Sequence, residues 1–152
     1  MKTLITDKRL FGLFLLLSTA LACSQLRPSS SSSTSSPTSA LKAFYEAQKN
    51  KKDVAAYKKT LSKGSLAMLE QGAKERNKTL DEALKEALDD PTSKTPTMPE
   101  TRNEKIDGDT ATLEVLADQS KGWSRMYFVK EDGDWKVALD KTLTEGFKSL
   151  QP

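Results

Sequence analysis

The sequence predicts an α+β domain in which several N-terminal helices precede a four-stranded antiparallel meander. Three observations predict it. Apolar residues recur at helical spacing between residues 41 and 88, then at alternate positions along extended runs between 100 and 141. Asp107-Gly108-Asp109, Ser120-Lys121-Gly122 and Asp132-Gly133-Asp134 punctuate those runs. Glycine accepts the positive φ that tight hairpins need, and short turns between successive strands imply antiparallel neighbours.

The helical part comes first. Ser39 is positioned to cap a helix that carries Leu41, Phe44, Tyr45 and Gln48 on one face, and Asn50-Lys51-Lys52 breaks it. Asp53 caps a second helix with Val54, Tyr57 and Leu61 on one side. Gly64 interrupts, and Ser65 starts a third helix containing Leu66, Met68 and Leu69. Thr79-Leu80-Asp81-Glu82 is a capping box, in which Thr79 and Glu82 satisfy each other's amides. Leu80, Ala83, Leu84, Ala87 and Leu88 form the apolar stripe that follows, and Asp90-Pro91 ends it. Residues 91–99 are a proline-rich loop.

The strands are expected over 100–106, 110–118, 123–131 and 134–141. Ala111, Leu113, Val115 and Ala117 alternate with polar residues, so one face of the second strand is buried and Glu114 points outward. The third strand is apolar on both faces from Met126 onward, which places it centrally. Its pairing with the fourth depends on the turn. A two-residue turn puts Met126 and Phe128 on the face of Val137 and Leu139, and a three-residue turn puts Tyr127 and Val129 there. Either way an apolar set remains for the other face, a surface suited to a partner protein or a second copy. Residues 143–150 are expected to form a short terminal helix.

Residues 1–22 read as a targeting segment. Lys2, Lys8 and Arg9 precede an apolar stretch from Leu10 to Ala22 of secretory length, short of the roughly 20 residues of a membrane-spanning helix. The stretch ends in Ala20-Leu21-Ala22-Cys23-Ser24, which resembles a bacterial lipobox, with Ala20 where leucine is commoner. The resemblance implies lipidation of Cys23 and anchoring in the cell envelope. Ser24 implies the periplasmic side of the outer membrane where the organism has one. Residues 23–39 follow as the lipidated cysteine and a serine-rich flexible tether, nine of residues 24–39 being serine. Residues 40–152 remain as one domain.

Cys23 is the only cysteine and there is no histidine, so internal disulfides, Cys-His or Ser-His-Asp sites and conventional zinc sites are excluded. The Asp-Gly turns lack the longer oxygen-rich loop of a calcium site. No cofactor or metal is expected. Charge is split: residues 41–78 carry net +6 and residues 79–152 net −6. Lys49, Lys51, Lys52, Lys58 and Lys59 form a candidate basic surface for anionic headgroups. Nucleic acid is not an expected partner in an exported compartment.

Helices followed by a meander that ends in Phe128-Val129-Lys130-Glu131-Asp132-Gly133-Asp134-Trp135-Lys136-Val137 resemble the nuclear-transport-factor-2-like (cystatin-like α+β) fold. More narrowly, the chain is similar to small bacterial lipoproteins carrying a domain of unknown function from that superfamily. The resemblance covers residues 40–141 and implies N-terminal helices packed on a curved four-stranded antiparallel meander, a cone-like roll with room for a pocket, for which Tyr45, Tyr57 and Trp135 are the candidate lining. It allows two functions. One is a non-catalytic binding or interaction module taking a protein partner or a small apolar ligand. The alternative is a small isomerase- or dehydratase-like enzyme. For every aromatic of the domain the core is the default place, Tyr45, Tyr57, Trp123, Tyr127 and Trp135 among them.

Overall fold

Paired serines start two of the helices. In the computed structural model, which describes residues 34–51, 53–90, 97–118 and 122–148, α1 (Pro37–Lys49) is capped by Ser36 rather than Ser39. Ser39 is the third helical residue and completes a reciprocal capping box, its hydroxyl accepting from the Ser36 amide at 2.9 Å. Pro37 fits the first turn because its missing N–H would have no helical partner there. The same three-residue displacement recurs in α3 (Lys63–Lys74), which Ser62 caps and in which Ser65 again is the third residue. Gly64 therefore lies inside the first turn of α3 and does not interrupt it.

Between them, α2 (Val54–Thr60) is capped by Asp53, which accepts from the Ala56 amide at 2.8 Å. Leu61 does not extend that helix. It turns extended and makes a parallel bridge to Val137, with 3% of its surface exposed. α4 (Leu80–Asp89) has the expected Thr79–Glu82 capping box and buries Ala83, Leu84 and Leu88.

β1 (Glu100–Asp107), β2 (Thr110–Asp118), β3 (Gly122–Glu131) and β4 (Asp134–Val137) form one antiparallel meander in sequence order. Asp132 and Gly133 alone make the last turn, with φ of 53° and 87°. Two successive positive φ values are the type I′ geometry that matches strand twist. The two-residue turn decides the register. Phe128 faces Val137 and Lys130 faces Trp135, so Tyr127 and Val129 go to the opposite face. β4 stops at Val137, short of residue 141, and α5 (Leu139–Lys148) begins earlier than expected. Thr142 supplies the reason. The Ala138 amide still donates to the Tyr127 carbonyl at 2.9 Å, but the Tyr127 amide donates to the Thr142 hydroxyl at 3.0 Å. A helical side chain thus satisfies the strand where another ladder residue would have stood.

The core lies between the inner face of the sheet and α1. Leu41 and Phe44 of α1 and Leu61 meet Ala111, Leu113, Val115, Phe128, Trp135 and Val137. The outer edge of β4 is held by the chain entering α1: the Thr34 hydroxyl donates to the Trp135 carbonyl at 2.7 Å, and the Trp135 amide donates to the Thr34 carbonyl. Residues 34–39, counted with the tether from sequence, are therefore part of the folded body. Among the described residues no helix is long and apolar enough to cross a membrane.

Candidate functional site

A β-bulge builds the most developed surface site. The β1–β2 register shifts between Arg102 and Lys105, and Asn103 in the bulge has φ of 54°. Asparagine tolerates that left-handed conformation better than most residues. The bulge turns the side chains of neighbouring Arg102 and Asn103 onto one carboxylate: Glu114 Oε2 accepts from Arg102 Nε at 2.8 Å and from Asn103 Nδ2 at 2.9 Å. These two bonds, with the Arg102 charge, hold the Glu114 carboxyl below the usual glutamate range. Arg102 serves a second purpose, its guanidinium lying 3.9 Å from the centroid of the Trp123 ring.

Trp123, Arg125 and Tyr127 share the outer face because side chains along a strand alternate. With Glu114 they wall one side of a cleft of about 460 Å³, and Thr142, Glu145 and Gly146 of α5 wall the other. The Glu145 carboxylate accepts from Lys148 Nζ at 2.7 Å, and that bond raises the lysine's pKa above its ordinary value. A second, more acidic hollow of about 570 Å³ lies against α4, lined by Arg76, Glu86 and Asp89 among others.

The residues expected to line a cone pocket sit elsewhere. Trp135 is a core residue at 4% exposure, and Tyr45 and Tyr57 pack against the same core from α1 and α2. Phe44 stands between the two tyrosines, its ring centroid 5.6 Å from Tyr45 and 5.5 Å from Tyr57. Burial raises the pKa of both phenols. None of the three lines either cleft. Conversely, Trp123 and Tyr127, assigned to the core by default, are half-buried on the outer face, and Phe147 is 68% exposed. The outer face as a whole is not an apolar surface: Tyr127 and Val129 sit there among Arg102, Glu114, Arg125 and Lys136.

The basic stretch is partly neutralised in space. Lys49 pairs with Glu46 at 2.8 Å, and Lys58 pairs with Asp81 of α4 at 2.7 Å. Lys59 is exposed and Lys51 half-buried, neither in an ion pair among the described residues. Cys23 and Lys52 lie outside the described residues.

A cluster of two buried serines, Ser62 and Ser65, with the half-buried Asp140 has the residue types of a hydrolytic site but the geometry of a staple. Ser62 and Ser65 are 2% and 0% exposed. The Leu139 amide donates to Ser65 Oγ at 2.7 Å, and Ser65 Oγ lies 3.0 Å from Asp140 Oδ1. The Ser65 amide donates to Ser62 Oγ at 3.0 Å. The cluster joins the first turns of α3 and α5 to the end of β4. It also explains Gly64, where a Cβ would come within 2.5 Å of Asp140 Oδ2. Among the described residues every buried side-chain nitrogen and oxygen has a hydrogen-bond partner. No member of the cluster lines either cleft. No group of three or more acidic, histidine or cysteine side chains converges as metal ligands among the described residues.

The outer-face site left one trace in the sequence, the spacing Trp123-x-Arg125-x-Tyr127, which puts all three on one face of a strand. The bulge that adds Arg102 and Asn103 left none. No family model, curated protein or solved structure matches this chain.

Proposed function

We propose that this protein is a lipid-anchored cell-envelope lipoprotein whose folded domain is a non-catalytic binding module. The observation that carries the reading is the order of parts in the chain: a basic start, an apolar stretch of secretory length, Ala20-Leu21-Ala22-Cys23, a serine-rich spacer, then a self-contained fold. Acylated Cys23 supplies the membrane attachment. A single acyl chain binds a bilayer only marginally, so a diacylglyceryl cysteine is the effective anchor. With residues 34–39 in the folded body, the spacer of residues 24–33 still lets the domain stand clear of the headgroups, with an r.m.s. reach of roughly 16–19 Å. Ser24 favours the periplasmic side of an outer membrane. The domain then meets its ligand or partner on the outer face of the sheet, where the cleft between β3 and α5 opens and where aromatic and charged side chains lie within reach of one another.

Metabolic labelling with palmitate tests the anchor. The wild-type chain is expected to take up label and to fractionate with membranes. Cys23→Ser is expected to lose the label and release the domain into the soluble fraction. Labelling that persists in Cys23→Ser refutes the placement.

A further inference from the structure

We propose that the cleft between β3 and α5 is a binding site for a small compound that carries a carboxylate beside a flat or apolar ring. The proposal deepens the binding-module reading and rests on it. The charges around the cleft supply the first half. Two carboxylates line it, Glu114 and Glu145. Each already has a cation of its own, Glu114 in Arg102 and Glu145 in Lys148, and Glu114 has the Asn103 amide as well. Arg125 faces Glu114 across the β2–β3 pair without forming an ion pair or hydrogen bond with it. It lines the cleft and is exposed. A planar guanidinium with its donors unspent binds a carboxylate through two parallel bonds, a geometry that a lysine would not match.

The aromatics supply the second half. Trp123 presents one ring face to the Arg102 guanidinium, and that residue does not line the cleft whereas Trp123 does. Trp123 and Arg125 stand two residues apart on the same face of β3, so a ring set against the indole lies beside the guanidinium. Tyr127 continues the same row. A ring stacked there gains both buried area and the offset-stacking energy of an aromatic pair, about 0.5–1.5 kcal/mol beyond area alone. The remaining wall leaves room for a ring. Thr142 is fully engaged with Ala138 and Tyr127, and Gly146 adds no side chain. The cleft's volume of about 460 Å³ admits a compound of one or two rings.

The test uses the full-length protein in detergent micelles, whether or not Cys23 carries lipid, so that its result is independent of the labelling experiment. The chain has two tryptophans, Trp123 and Trp135. Their indole N–H signals in a nitrogen-15 spectrum are assigned with Trp123→Phe. Phenylacetate is the probe, with phenylacetamide and phenethylamine as neutral and cationic controls of the same shape. Phenylacetate is expected to move the Trp123 signal with a Kd near about 1 mM, an affinity ordinary for so small a compound. The Trp135 signal stays in place, and the two controls bind at least about tenfold more weakly. Arg125→Gln is expected to weaken phenylacetate by about tenfold or more, with Trp135 unshifted as the check on folding. No movement of Trp123, equal movement by phenylacetamide or phenethylamine, or full binding by Arg125→Gln overturns the proposal.

Discussion

On the inner face of the sheet, Ala111, Leu113, Val115, Phe128 and Val137 are 3% exposed or less and meet α1 through apolar contact alone. One residue further along the same strands, Arg102, Glu114, Trp123 and Arg125 stay in contact with water and meet one another through charge and ring contacts. The strands are shared, so backbone propensity does not separate the two faces. Position relative to α1 does. The inner face is excluded from water along most of its length, so its side chains contribute through shape and area. The outer face is covered only where α5 approaches Tyr127. Its groups keep much of their hydration, so each pair contributes little to stability and remains available to a ligand. One sheet thus holds the fold together with one face and presents charged and aromatic side chains to water with the other.

Paired truncations break the comparison most directly. Phe128→Ala opens a cavity at a fully buried site and is expected to cost about 3–5 kcal/mol in urea unfolding. Trp123→Ala is expected to cost far less for a larger deletion, about 1 kcal/mol, since what it loses is an exposed cation–π contact and partial burial. Equal costs would mean that the outer face is as structural as the inner one. Ser65→Ala sharpens the comparison, because Ser65 is polar like the outer face and buried like the inner. It strands the Leu139 amide and removes a partner from Asp140. A cost of about 1–3 kcal/mol is expected, the penalty of a buried donor without an acceptor, and thermal or urea unfolding measures it. A neutral result would show that water enters the α3–α5 junction.

The smallest effect belongs to Glu114. Its carboxyl is held below the usual range by Arg102 and Asn103, so it binds a proton more weakly folded than unfolded. The stability it contributes is therefore present above the unfolded glutamate pKa and lost as pH falls through the lower folded value. Glu114→Gln is expected to flatten a small acid-range step in stability, and high salt to shrink the wild-type step in the same way. A carbon-13 titration of the Glu114 carboxyl that returns an ordinary glutamate pKa would remove the basis for this expectation.

The helices, the meander and the place of the last turn, though not its length, were legible in outline because each rests on near neighbours. Asp53, the Thr79–Glu82 box and Asp132-Gly133 act within a few residues, and all three are where local chemistry puts them. The two displaced caps show the limit of that locality. Ser36 and Ser39, and again Ser62 and Ser65, are both competent capping residues three apart. Each pair uses its first member as the cap, and Pro37 in one case and the bond from Ser65 to Val137 in the other fix the choice. The two tryptophans part company for a different reason. Trp135 and Trp123 are equally apolar in sequence, and only the register of β3 against β4 and the reach of α5 send one inward and leave the other beside a cleft.

The sequence by itself determined the class of fold and the order of its elements. Those follow from periodicity, capping and turn chemistry, which operate over spans shorter than a helix. The tertiary structure decided which tyrosines and tryptophans share a surface, where β4 gives way to α5, and which cations meet which acids. The physical reason is the distance over which charges and edges find partners. Glu114 is held by residues 11 and 12 positions earlier across a bulge. The Ser62–Ser65–Asp140 staple spans more than 70 residues. Pairings of that range are set by which strands lie side by side, and no local pattern in the chain records them.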